Sequence, residues 1–233
     1  MRTYILLIVL LIVSLSAYGQ FNEIKTTKIG VEELPDSIKI KGRVIEILTW
    51  NDTIGINYFI SSAIRPIRKR FEDHEDEETK HIFAEQYIVK DDNIELLWNF
   101  DLKRTGWIGL ELLFIPHSTY ISDLDNNGIT ETTFVYKTAS RSDISPADIE
   151  LIMHENENKY SLKGRTFIRY SKHLMDVDFS DYELNLEKIE DNKIHPSTKN
   201  YGRYLNDDEF IKTPNQFLLY AIDIWKKHIE EKF

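Results

Sequence analysis

Along the chain, β-branched and aromatic residues gather in short alternating runs that break at turn residues, the pattern of half-buried strands joined by hairpins. The first pair covers residues 43–50 and 56–62 around Asn51-Asp52-Thr53-Ile54-Gly55, and the second covers 82–89 and 94–100 around Asp91-Asp92-Asn93. A third set runs through 110–115 and 119–122, crosses 123–131 and resumes over 132–138. A fourth pairs 149–154 with 159–168 around Glu155-Asn156-Glu157-Asn158.

The period changes at the C-terminus. Leu218, Ile222, Trp225 and Ile229, with Phe217 and Ala221 beside them, fall on one face at helical spacing. Ahead of them, Thr213-Pro214-Asn215-Gln216 offers an N-cap threonine, proline at the first helical position and a capping-box glutamine. The predicted helix spans 214–231 and lies across a sheet. Between Met175 and Asp208 no period is visible, and 182–208 read mainly as loop. The expected fold is mostly β: antiparallel hairpins in a meander, forming two sheets the size of propeller blades, with a C-terminal amphipathic α-helix. Setting Gly55 against Gly128 brings Asp52 against Asp125, a weak internal likeness that would fit a duplication.

The N-terminus does not belong to this pattern. Arg2 precedes nine unbroken apolar residues, 5–13, and the stretch ends at Ala17-Tyr18-Gly19, small residues where a signal peptidase would cut before Gln20. Residues 1–19 are therefore expected to be an export signal, leaving one domain over 20–233 in the periplasm or secreted. An uncleaved anchor is the alternative, but a spanning helix needs roughly 20 apolar residues. With no cysteine in the chain, an acyl anchor, disulfides, thiolate zinc sites and cysteine nucleophiles are all excluded.

Composition narrows the partners. Asp+Glu 39 against Lys+Arg 29 gives a net charge of −10, with no basic stripe, so no nucleic-acid partner is expected. The basic block 65–70 and the acidic block 72–78 suit i,i+4 pairs such as Arg68/Glu72, Lys69/Asp73 and Asp76/Lys80, which predicts a short exposed helix or loop. His74 and His81 near Glu77 and Glu78 invite a metal reading, but a polar loop collects such residues by composition.

One motif carries chemistry. Asp123-Leu124-Asp125-Asn126-Asn127-Gly128-Ile129-Thr130-Glu131 reads D-x-D-x-N-G-x-x-E. Ca2+ takes six to eight oxygens, and this loop offers side-chain oxygens from Asp123, Asp125, Asn127 and Glu131 with the backbone carbonyl of Ile129. Gly128 allows the sharp turn that brings both sides onto one ion. Phe134 stands where an EF-hand has its bidentate glutamate, and the flanks read as strands, so the loop sits inside a hairpin. The plainer alternative is an ordinary Asn-Gly turn. A structural Ca2+ is the expected cofactor.

The loop and the strand after it resemble the calcium loop of FG-GAP and VCBS-type repeats, present here in one good copy. The stretch from Ile121 to Thr166, with YAIDIWKKH downstream, is also similar to a family of small exported bacterial proteins labelled as surface polysaccharide biosynthesis proteins, and that resemblance implies an envelope setting.

Catalytic signatures are missing: the chain has no G-x-S-x-G elbow, glycine-rich phosphate loop or H-E-x-x-H. Residues 141–146 have the polar look of a functional loop, with a plain turn capped by Asp143 or Ser145 as the alternative. Trp50, Trp98 and Trp107 are either a sugar-stacking platform or, as large aromatics more often are, core. The expected function is a non-enzymatic, calcium-stabilised binding or structural module of the envelope, partnered by a glycan or a protein, with no membrane span after cleavage. A secreted carbohydrate-active enzyme is the alternative, and a secreted inhibitor or interaction domain is a third class.

Overall fold

The computed structural model describes residues 23–231 except 73–75, 92, 108, 171 and 191–194. The expected export signal and its cut before Gln20 lie outside the described residues, as do His74 and Asp92.

The body is two antiparallel five-stranded sheets and a C-terminal helix. Strands β1 (Thr27–Lys28), β2 (Arg43–Asn51), β3 (Ile56–Lys69), β4 (Glu77–Lys90) and β5 (Asn93–Trp107) follow one another in a simple meander. The second sheet holds β6 (Leu110–Phe114), β7 (Tyr120–Ser122), β8 (Glu131–Ser140), β9 (Asp148–Glu155) and β10 (Asn158–Arg165), in the order β10-β9-β8-β6 with β7 also paired to β8. Among the described residues the sheets close into neither a barrel nor a propeller. No helix there is long and apolar enough to cross a membrane.

Strand β8 explains the layering. Both of its faces are buried from Glu131 to Tyr136, which requires cover on each side. Phe134 and Tyr136 face the first sheet and pack with Trp50, Phe59, Ile82 and Trp98. Val135, with Leu151 and Met153 of β9, faces the helix α1 (Asn215–His228) through Phe217, Ala221, Ile224 and Trp225. A third, smaller cluster covers the outer face of the first sheet, where Ile38 meets Ile47 and Ile60.

The core between the sheets also contains polar groups. Trp98 donates its indole N–H to Gln86 (3.0 Å), Thr132 donates to the same oxygen (2.8 Å), and Gln86 donates to Asn57 (2.9 Å). Such a network fixes register, because a slipped strand would leave buried polar groups unpaired.

Two expectations need correction. Residues 65–69 and 77–80 form neither helix nor loop: they extend the β3–β4 hairpin, where Arg68 lies opposite Glu78 with a 3.0 Å ion pair and Lys69 lies opposite Glu77, while Arg70, Phe71, Glu72 and Asp76 lie outside the strands. Charges spaced for a helix also line up across a hairpin, and Ile64 and Ile67 favour the strand. The register shifts between those two residues, around Pro66, which has no N–H to donate.

The helix cap also differs. Pro214 occupies the N-cap position with no side-chain cap, and the Thr213 hydroxyl turns back to the carbonyl of Phe210 at 2.9 Å. The other end stops at His228 rather than 231, because Ile229 accepts from Phe167 N (2.7 Å) and Glu231 donates back to the Phe167 carbonyl (2.9 Å). Trp225 is fully buried, as its place on the apolar face predicted, and donates to the Gly202 carbonyl at 2.9 Å.

The segment 182–208 is mainly irregular among the described residues, as expected. It holds short 3-10 turns at Leu186–Lys188 and Pro196–Thr198, and Tyr204 bridges to both Gly164 and Asn185, covering the edge of β10.

Candidate metal site

The D-x-D-x-N-G loop joins β7 to β8, so pairing of Ser122 with Glu131 clamps its two ends together. Inside it the backbone is held by its own side chains. Asp123 accepts from Gly128 N (3.1 Å), Asp125 from Asn127 N (3.2 Å), and Asn127 from Ile129 N (2.7 Å). Gly128 has φ +82°, and a Cβ there would sit 2.4 Å from a methyl carbon of Thr53. Glycine is thus required both for conformation and for room.

The structure gathers three of the expected ligands. Asp123, Asp125 and Glu131 each offer a carboxylate oxygen, all within 4.8 Å of one another. Glu131 is fully buried. One of its oxygens, Oε2, accepts from Leu124 N (2.9 Å) and from the Ser122 hydroxyl (3.1 Å). The other, Oε1, is buried with no hydrogen-bond partner, and so is Oδ1 of Asp123. Burial pushes the Glu131 carboxyl up to about 8, and the charges of Glu155 and Asp125 add to this, against the two hydrogen bonds.

This pattern fits a hard cation. A buried acceptor without a donor costs of order 1–3 kcal/mol, more when charged, and two such oxygens on converging carboxylates are what a bound divalent ion would satisfy. The remaining expected ligands stand differently. Asn127 is exposed and its amide nitrogen donates to Asp125 (3.2 Å) and to Glu155 (2.8 Å). Ile129 is half-buried, on the side of the loop where its N–H meets Asn127. Glu155 was not anticipated: it lies in another hairpin and arrives only because β9 pairs with β8 in a register that sets it opposite Glu131.

The turn Asn51–Gly55 braces the loop from the first sheet. Thr53 donates both its N–H (2.9 Å) and its hydroxyl (2.6 Å) to the Gly128 carbonyl. Asp52 accepts from the Thr130 hydroxyl (2.9 Å), which itself accepts from the Trp50 indole (2.8 Å).

Other candidates resolve as structural. Trp50 and Trp98 are core, whereas Trp107 is exposed at the end of β5, so the three form no platform. His81 pairs with Asp101 across strands at 2.5 Å. Residues 141–146 make a turn in which Asp143 accepts from Ser145 N (3.0 Å). Arg141 itself enters an ionic cluster with Glu111 (3.2 Å) and Glu231, joined by Lys137. Burial would raise the Glu231 carboxyl, but Arg141, the Thr166 hydroxyl and Ala147 N outweigh it and hold it at about 2. This cluster ties the C-terminal tail to the second sheet.

A scan against protein-family models finds no match to this chain, and searches of curated proteins and of solved structures find none either.

Proposed function

We propose that this protein is an exported β-rich binding or structural module of the bacterial envelope, stabilised by a Ca2+ ion held by Asp123, Asp125 and Glu131, with Asn127 and the carbonyl of Ile129 completing the shell. The observation that carries the calcium reading is the pair of buried, unpartnered oxygens, Asp123 Oδ1 and Glu131 Oε1, on carboxylates that converge within one loop. A loop that offers side-chain oxygens from four residues suits Ca2+, with its flexible coordination, better than Mg2+, which requires a near-ideal octahedron and keeps its waters.

The export reading rests on the apolar leader ending at Ala17-Tyr18-Gly19, and the envelope setting on the family resemblance. The ion would act by mass action, binding the folded loop and not the unfolded chain. Thermal melting of the mature chain in millimolar Ca2+, in Mg2+ and in chelator tests this. A melting temperature that rises with Ca2+ and much less with Mg2+ is the expected result, and equal melting in all three would leave 123–131 as a plain hairpin turn. Intact mass of the protein from its native host tests export, with Gln20 as the expected first residue.

A further inference from the structure

On the face of the second sheet that looks toward the first, the β8–β9–β10 register builds two polar rungs beyond the apolar core. Tyr136, Glu150 and Lys163 lie directly across from one another in one rung, and Thr138, Asp148 and Arg165 in the next. These rungs form the floor of a cleft of about 530 Å³, walled by Arg104 from β5 on one side and by the segment containing Asn200 and Arg203 on the other.

The charge of this cleft runs against that of the chain. Three cations, Arg104, Lys163 and Arg165, face the two carboxylates of the floor in a protein of net charge −10; Arg203, also in the lining, turns its guanidinium to the carbonyls of Glu183 and Lys199. Neither carboxylate stands alone. Asp148 meets the Arg165 guanidinium at 3.0 Å, and Glu150 accepts from the Tyr136 hydroxyl and lies 3.5 Å from Lys159 and 3.7 Å from Lys163, whose half-exposed ammonium is also 4.0 Å from Glu209. Arg104, by contrast, hydrogen-bonds among the described residues only to the backbone carbonyl beside it, that of Lys103.

We propose that this cleft binds an acidic saccharide, with Arg104 and Lys163 taking the sugar carboxylate and Asp148, Glu150 and Asn200 meeting its hydroxyls. The volume is that of a small-ligand site. A bare phosphate would use the cations but be repelled by the carboxylates on the floor. An apolar ligand would strand the charges of both signs. A polyol carrying a carboxylate uses both kinds of group. The proposal names a ligand class for the binding module above and is independent of the calcium loop, which draws on different residues.

The test is calorimetric titration of the mature chain with a hyaluronan tetrasaccharide, which carries glucuronate, against neutral chitotetraose and inorganic phosphate. Saccharide binding that weakens with salt is expected, with chitotetraose at least about tenfold weaker, the loss that goes with one missing charged contact. Arg104→Ala with Lys163→Ala should weaken hyaluronan binding at least about tenfold on the same grounds while leaving the melting temperature unchanged, and Lys90→Ala on the far hairpin should leave binding intact. No binding of the acidic sugar, equal binding of the neutral one, tighter binding of phosphate, or indifference to the double substitution would each overturn the proposal. Loss of sugar binding with calcium-dependent melting intact refutes the cleft alone, and the reverse outcome refutes the calcium site alone.

Discussion

The turns Asn51–Gly55 and Asp123–Glu131 look alike in sequence and touch in space, yet they satisfy their charges differently. In the first, Asp52 is fully employed by protein donors. One oxygen accepts from Ile54 N (2.9 Å) and Gly55 N (3.1 Å), and the other accepts from the Thr130 hydroxyl (2.9 Å). In the second, three carboxylates converge and two of their buried oxygens have no donor. An acidic turn is therefore not in itself an ion site. What separates the two is whether the backbone and neighbouring hydroxyls use up the lone pairs, since an acceptor left dry in the interior must find a partner or raise its pKa.

The largest expected effect comes from removing the ion or its buried ligand. If free Ca2+ stands at about 100 times Kd, binding adds roughly 2.7 kcal/mol of stability, or a rise in melting temperature of about 5–10 °C for a domain of this size. Glu131→Gln should abolish that rise, and in chelator at pH 8 it should melt above wild type, because an amide does not carry the charge that burial penalises. A Glu131→Gln protein that still gains stability from Ca2+ would break the contrast between the turns.

Gly128→Ala comes next, at about 2–3 kcal/mol in denaturant unfolding, with or without Ca2+. The new methyl would meet Thr53 at 2.4 Å with φ at +82°, combining overpacking with a left-handed backbone cost. Thr53→Ala in the same chain should recover part of the loss.

Glu131 contributes a pH slope of opposite sign to ordinary acid denaturation. The Glu131 carboxyl is raised to about 8 in the folded state, so the native protein holds a proton that the unfolded chain releases near its ordinary value of about 4.5. In chelator, the stability of wild type relative to Glu131→Gln, a difference that cancels the opposing slope of the buried His154, should be fullest below that value and fall as pH rises toward 8, by at most about 1.4 kcal/mol per pH unit. Ca2+ holds the carboxylate ionised and should flatten the fall. A wild-type minus Glu131→Gln difference in chelator that rises with pH across this window would contradict the burial of an unpartnered Glu131.

The smallest effect is expected in the first turn. Asp52→Ala should cost about 1–2 kcal/mol through lost backbone and hydroxyl bonds, equally in Ca2+ and in chelator. Denaturation curves in both conditions read this directly, and a loss confined to Ca2+ would make Asp52 part of the ion site.

Sequence alone determined a good deal. Hairpin periodicity placed β2 to β10, though not β1 or the long outer ends of β3, β4 and β5, the 3.6-residue pattern from Phe217 to Ile229 placed α1 and its buried Trp225, and oxygen spacing located the loop that gathers Asp123, Asp125 and Glu131. These features are local, governed by residues a few positions apart. Tertiary structure decided the rest. Helical spacing and cross-strand spacing are degenerate for the charges around Arg68, and the choice fell to pairing with Glu78. Thr213 carried the right cap chemistry, but its hydroxyl found Phe210 first. Glu155 beside the loop, the brace from Thr53, and the rungs of the charged cleft all follow from which strands pair and in what register. That choice rests on burial of both faces of β8 and on the Asn57–Gln86–Trp98–Thr132 network, contacts between residues far apart in the chain that no local pattern encodes.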